Sequence, residues 1–271
     1  MKPIIALIVF LFFTTFTWGQ KIDQSQVPAV LLNSFQLKYP NSEHAKWKKE
    51  KENYTIEFQV NNKPHKAILS YKGNLIEHFK DLYVSEIPEV VLETIKTRIP
   101  YFDVEDADKY ENGRKTTYTI KFKIDGKRHY FWVNEKGELR KYRQELKDSE
   151  IPIFISSLIA TNYGKMDIDY SKFVEEQGVI IYIVDGEIND DDHNFKFDAK
   201  GNILKHIHDI KLSEIPAPII KTISSKFKDH TLRDADFIEE NGKSYYYITM
   251  KKSKNQVYIT LNPNGQVLTV K

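Results

Sequence analysis

Residues 85–139 read SEIPEVVLETIKTRIPYFDVEDADKYENGRKTTYTIKFKIDGKRHYFWVNEKGEL, and the way this stretch changes period decides the fold. Starting just before Pro88, apolar residues fall every fourth position, at Ile87, Val91, Ile95 and Ile99. That spacing puts them on one stripe of an amphipathic helix of about three turns. From Tyr118 the spacing becomes two: Tyr118, Ile120, Phe122 and Ile124 alternate with polar residues, as a half-buried strand requires. Asp125-Gly126 turns the chain, Phe131 and Val133 resume the alternation, and Asn134-Glu-Lys-Gly137 has Asn first and Gly fourth. That is type I turn chemistry. Leu139 opens one more strand, and a weaker one around Tyr110 precedes the first.

The same pattern occurs four times. Gly73, Gly137, Gly201 and Gly265 recur at an interval of 64, and Val27-Pro28, Ile87-Pro88, Ile151-Pro152 and Ile215-Pro216 open the copies. Three of these openings are Glu-Ile-Pro. The helix stripe returns as Val27, Leu31, Phe35 and Tyr39, as Ile151, Ile155, Ile159 and Tyr163, and as Ile215, Ile219, Ile223 and Phe227. The strand returns at Tyr54, Ile56 and Phe58, at Tyr182, Val184 and Ile188 (with Gly186 between), and at Tyr246, Ile248 and Met250. Such self-similarity marks a tandem architecture. The expected fold is α+β: four tandem units, each an N-terminal helix packed on a roughly four-stranded antiparallel sheet. Their expected boundaries are 20–85, 86–149, 150–213 and 214–271.

Residues 1–19, MKPIIALIVFLFFTTFTWG, have one early Lys2, an apolar run to about Phe16 and small residues before Gln20. This is the layout of a secretory signal peptide, and the run is short for a spanning helix. No later stretch is long and apolar enough to span, so the mature chain is expected to be periplasmic or secreted. It contains no cysteine, which removes disulfides, thiol catalysis and thiolate metal sites. Without Lys2 there are 39 basic and 38 acidic residues, interleaved along the chain, which excludes an electrostatic footprint for nucleic acid.

The order of Pro-helix, Tyr-x-Ile-x-Phe strand, Asn/Asp-x-x-Gly-x-Leu hairpin and Glu-Ile-Pro resembles the PepSY-like, β-lactamase-inhibitor-like domains of exported bacterial proteins. The resemblance covers residues 26–271. It implies a non-enzymatic binding or inhibitory module with a helix-backed sheet, although the inhibitors of this shape carry disulfides and this chain has none.

Strand parity supplies candidate contact residues. Phe131 and Val133 occupy core positions, so Tyr130 and Trp132 face the other way; Tyr245, Tyr247 and Tyr258 do so by the same rule. Tyr and Trp on a sheet face are the usual anchors of binding surfaces, although packing between units would also bury them. The acidic turn at Asp190, Asp191 and Asp192 is a candidate hairpin tip for a partner's cleft; it lacks the ligand spacing of a calcium loop. His65, His129 and His193 recur at 64 in core register and read as partly buried structural residues. His206-x-His208 puts two imidazoles on one strand face, a candidate metal pair that needs a third ligand. No nucleophile elbow, zinc-binding helix, phosphate loop or dinucleotide motif occurs. The expectation is therefore a non-enzyme without cofactor that binds a protein partner in the cell envelope. The alternative is a metal- or small-ligand-binding sensor module centred on residues 150–213.

Overall fold

The computed structural model describes residues 20–271. The expected signal peptide, residues 1–19, lies outside the described residues. The chain is α+β, with four α-helices and seventeen strands among the described residues. It divides into two compact units, one running to Ile120 and including Trp132–Glu138, the other made of Lys121–Phe131 and Leu139–Lys271.

In the first unit β1 (Gln20–Ile22) precedes α1 (Ala29–Lys38), which is followed by β2 (Glu43–Glu50), β3 (Asn53–Val60), β4 (Lys63–Ser70) and β5 (Leu75–Asp81). Then come α2 (Glu89–Lys96) and β6 (Asp106–Glu111). Each strand from β1 to β6 pairs antiparallel with the next. The strands β7 (Thr116–Ile124) and β8 (Lys127–Asn134) follow. The second unit then contains β9 (Leu139–Glu145), α3 (Ile153–Asn162), β10 (Asp167–Glu176), β11 (Val179–Ile188), β12 (Asp191–Asp198) and β13 (Ile203–Asp209). It ends with α4 (Ala217–Lys226), β14 (Thr231–Glu240), β15 (Lys243–Lys252), β16 (Asn255–Leu261) and β17 (Val267–Val270). Strands β9 to β17 again pair each with its successor, all antiparallel.

The Glu-Ile-Pro tripeptide is explained atom by atom. A one-turn 3-10 helix precedes each α-helix. In two of them Glu closes the turn: the Glu86 carboxylate accepts from the Tyr83 amide at 2.8 Å, and Glu150 accepts from Lys147 at 2.8 Å. The isoleucine is buried. The proline sits at the helix N-cap, and its carbonyl accepts the first helical amide. A helix can begin on a residue with no N–H because that N–H would have no partner there.

The cores follow the two periods. Leu31 and Phe35 of α1 meet Trp47, Ile56, Phe58, Ala67 and Leu69. Ile155 and Ile159 of α3 meet Val184, Ile188, Phe195 and Phe197. Ile219 and Ile223 of α4 meet Ile248, Met250, Ile259 and Leu261. Full burial of one such aliphatic side chain contributes about 1.5–3 kcal/mol. The ladder glycines have positive φ and lie against the preceding helix: a Cβ on Gly265 would stand 2.4 Å from the Pro218 carbonyl oxygen. Thr222 Oγ1 donates to the Gly265 carbonyl at 2.7 Å, tying the hairpin to α4, and Thr94 does the same for Gly137. A bulge lies in β10, between Ile168 and Tyr170, and a Cβ at Gly186 would lie 2.1 Å from Asp167 O.

Candidate functional site

Strand parity holds for the tyrosines of the last sheet segment. Tyr245 and Tyr247 are half-buried residues of β15 that alternate with the core residues Ile248 and Met250, so they face away from α4. Tyr247 and Tyr258 stack with ring centroids 5.9 Å apart and planes 15° apart. Tyr245 lies opposite Ile238, which lies opposite Ile207, extending an apolar strip across β13, β14 and β15. Beside it, Asp236 is the cross-strand partner of Asp209 and lies opposite Tyr247. Burial, together with the hydrogen bond it donates to Asp209 and the nearby Asp209 charge, pushes the Asp236 carboxyl up to about 8, so at neutral pH the two acids share a proton carried by Asp236.

The structure does not gather all the expected contact residues into one cluster. Tyr130 is half-buried on β8, with the Arg143 guanidinium 3.8 Å from its ring centroid. Trp132 is half-buried on the same strand, in the first unit. Of the acidic turn, only Asp190 is exposed, in the left-handed region at φ 65°. Asp191 and Asp192 begin β12 and are half-buried, and the Lys211 ammonium holds Asp191 at 3.4 Å. The tip is thus smaller than the sequence suggests.

The histidines show what sequence reasoning missed. His65, expected to be partly buried, is buried; its Nδ1 stands 3.0 Å from Nε2 of His78, and His78 Nδ1 stands 3.2 Å from Glu111 Oε2. A carboxylate only accepts, so His78 carries its proton on Nδ1 and His65 Nδ1–H donates to His78 Nε2. Burial lowers both imidazoles, His65 to about 4. The relay returns 128 residues later: His193 Nδ1 lies 3.0 Å from His206 Nε2, and His206 Nδ1 lies 3.1 Å from Glu239 Oε2. Between them, His129 Nδ1 meets the Tyr142 hydroxyl at 2.9 Å, and that hydroxyl donates to Gln144. A tyrosine lies over each relay: Tyr39 on His78 and Tyr163 on His206, with centroids 5.1 and 4.6 Å apart. Burial and the nearby Glu111 carboxylate push Tyr39 up to about 12. The offsets of 13 and 33 residues, the same in both relays, were the available signal.

His208 shares its strand face with His206, as expected, and lies directly opposite His193 on β12. The acidic hairpin, whose Asp191 lies two residues before His193, and the histidine pair are therefore neighbours.

The profile of the PepSY-like, beta-lactamase-inhibitor-like family matches residues 17–77, 124–205 and 184–269. The chain belongs to this family. Its solved relatives include a DUF2874 family protein from Bacteroides ovatus, 17% identical, with a TM-score of 0.36 over 43% of this chain and 86% of that one. A BLIP-like protein from Bacteroides fragilis is 17% identical, with a TM-score of 0.36 over 46% and 93%. A protein of unknown function from Bacteroides vulgatus, described as periplasmic, is 19% identical, with a TM-score of 0.30 over 48% and 98%. No curated protein matches. Among the described residues, no helix is long and apolar enough to cross a membrane.

Proposed function

We propose that this PepSY-like protein is an exported, non-enzymatic binding module that engages a protein partner of the cell envelope. The reading divides the chain into four helix-and-sheet units at 20–85, 86–149, 150–213 and 214–271, after removal of residues 1–19. The contact surface is the sheet face turned away from the helices, with Tyr245, Tyr247 and Tyr258 as its anchor group. Tyr130 and Trp132 are further contacts, and the Asp190, Asp191 and Asp192 hairpin lies at the margin.

The observation that carries the reading is the Tyr247–Tyr258 stack beside the Ile207–Ile238–Tyr245 strip. Two rigid rings held against each other lose little side-chain entropy on binding and present a large apolar area with polar tips. The shared-proton pair Asp209 and Asp236 adds an acidic group that can also donate, which suits a partner offering amide or basic groups. The family's inhibitor-like character agrees with binding rather than turnover. The test is capture of a partner by the unaltered chain and its loss when Tyr247 and Tyr258 are changed to Ala together.

A further inference from the structure

The chain holds a natural comparison between its repeats, and this singles out one cluster. Across β4, β5 and β6 the relay is His65, His78 and Glu111, and the position two residues after His78 is Lys80. Lys80 turns to Glu86, with Nζ 2.5 Å from the carboxylate. Across β12, β13 and β14 the same relay is His193, His206 and Glu239, and the Lys80 position is His208. The intervening repeat has Tyr142 and Gln144 at the last two ring positions, and the final repeat has Val257 and Val270 in place of the relay histidines. Among the described residues, three imidazoles meet in the third repeat alone.

Their geometry is close to a coordination shell. His193, His206 and His208 each offer a ring nitrogen, and these atoms lie within 4.8 Å of one another. Four-coordinate zinc with nitrogen at about 2.0–2.1 Å needs neighbouring ligand nitrogens about 3.3 Å apart. The His193–His206 pair, at 3.0 Å, already meets this. The third nitrogen has to close by about 1.5 Å at most, which a ring rotation supplies. The rings are stacked at interplanar angles of 8–23° and must fan out. His206 is fully buried and fixed by Glu239, whereas His193 and His208 are half-buried and can turn.

Two further observations point to a ligand. Nδ1 of His208 is buried with no hydrogen-bond partner among the described residues, an orphaned polar atom that a bound ion would satisfy. The carboxylate behind His206 is the partner that metal-ligating histidines usually have, because it fixes the tautomer with the other nitrogen's lone pair forward. That lone pair is on Nε2, the nitrogen facing His193.

We propose that His193, His206 and His208 form a site for one divalent transition-metal ion of zinc type, with Glu239 as a positioning residue. On binding, the proton between His193 Nδ1 and His206 Nε2 leaves that hydrogen bond as His193 takes its other tautomer. The metal then takes both freed lone pairs and one from His208. The fourth position falls to solvent or to Asp191, two residues before His193 on β12. Three imidazoles select zinc, copper or nickel over calcium or magnesium, which prefer oxygen.

The site does not depend on the sheet-face reading, so the two can fail separately. The experiment is calorimetric titration of the full chain with Zn²⁺ at neutral pH, repeated with Co²⁺, whose visible absorption reports four-coordination. One ion per chain is expected. His208→Lys, which installs the residue the first repeat carries in the same surroundings, abolishes binding. Glu239→Gln weakens it about 10- to 100-fold. His65→Leu leaves it unchanged. No saturable zinc binding by the unaltered chain overturns the proposal, and so does a His208→Lys chain that binds zinc as before.

Discussion

Gly265 and Gly242 separate two reasons for needing glycine, and replacing each by Ala measures them. Both lie in the last repeat with positive φ, +79° and +73°. A Cβ on Gly242 meets nothing within 4 Å, so Gly242→Ala has only the left-handed backbone to strain, about 1–2 kcal/mol. A Cβ on Gly265 would stand 2.4 Å from the Pro218 carbonyl oxygen, 2.8 Å from its carbon and 3.0 Å from Thr222 Oγ1. The hairpin must then lift from the first turn of α4, which adds overpacking of about 1–3 kcal/mol. Gly265→Ala should therefore cost about 2–5 kcal/mol. Repeat arrays do not unfold in one step, so the measurement is hydrogen exchange resolved to β15 and β16 in the full chain. Equal loss of protection in the two variants would refute the close approach as the reason for the 64-residue glycine ladder.

Acid should loosen the first repeat through His65. Burial and the neighbouring His78 and Lys80 charges hold its imidazole down to about 4, against the attraction of Glu86, so the folded ring is neutral where the unfolded ring takes up a proton. Its stability is complete above about pH 6.5 and is lost as pH falls towards 4; between pH 7 and 5 the unscreened loss is about 2 kcal/mol, discounted for solvent to about 1 kcal/mol. Urea unfolding followed by Trp47, which is buried against Phe35, should show this loss, and His65→Leu should flatten it; a variant with the same acid slope would contradict the assignment. Thr222→Val should cost about 1 kcal/mol by removing the 2.7 Å bond to Gly265, read by exchange of the α4 amides; an unchanged rate would show that the latch is idle.

Much of this was legible before the structure because helix and strand write different periods. Val91 and Ile95 of the four-residue stripe, and Ile120 and Phe122 of the alternating run, are all nearly inaccessible. The turn residues were equally legible: Asn61-Asn62 and Asn189-Asp190 take positive φ at both positions, as two-residue hairpins ask. What stayed hidden depended on contacts across strands. His78 is an ordinary histidine until β4 and β5 are paired, and nothing marks Glu111 and Glu239 as histidine partners until β6 is laid beside β5 and β14 beside β13. The Glu of Glu-Ile-Pro looked like punctuation, because a side chain closing its own 3-10 turn leaves no hydrophobic period. The acidic hairpin looked larger than it is because strand β12 begins at Asp191 and takes two of its three carboxylates into the sheet.

The account rests most on the sheet face that bears the tyrosines. Its most direct test is affinity capture from native envelope and secreted fractions, with the unaltered chain beside one carrying Tyr247→Ala and Tyr258→Ala. Both baits must first be shown to be folded by exchange at the buried Ile248. A protein retained by the unaltered chain and lost from the double variant is the predicted result. A partner held equally by both, or no partner held by either, would contradict it.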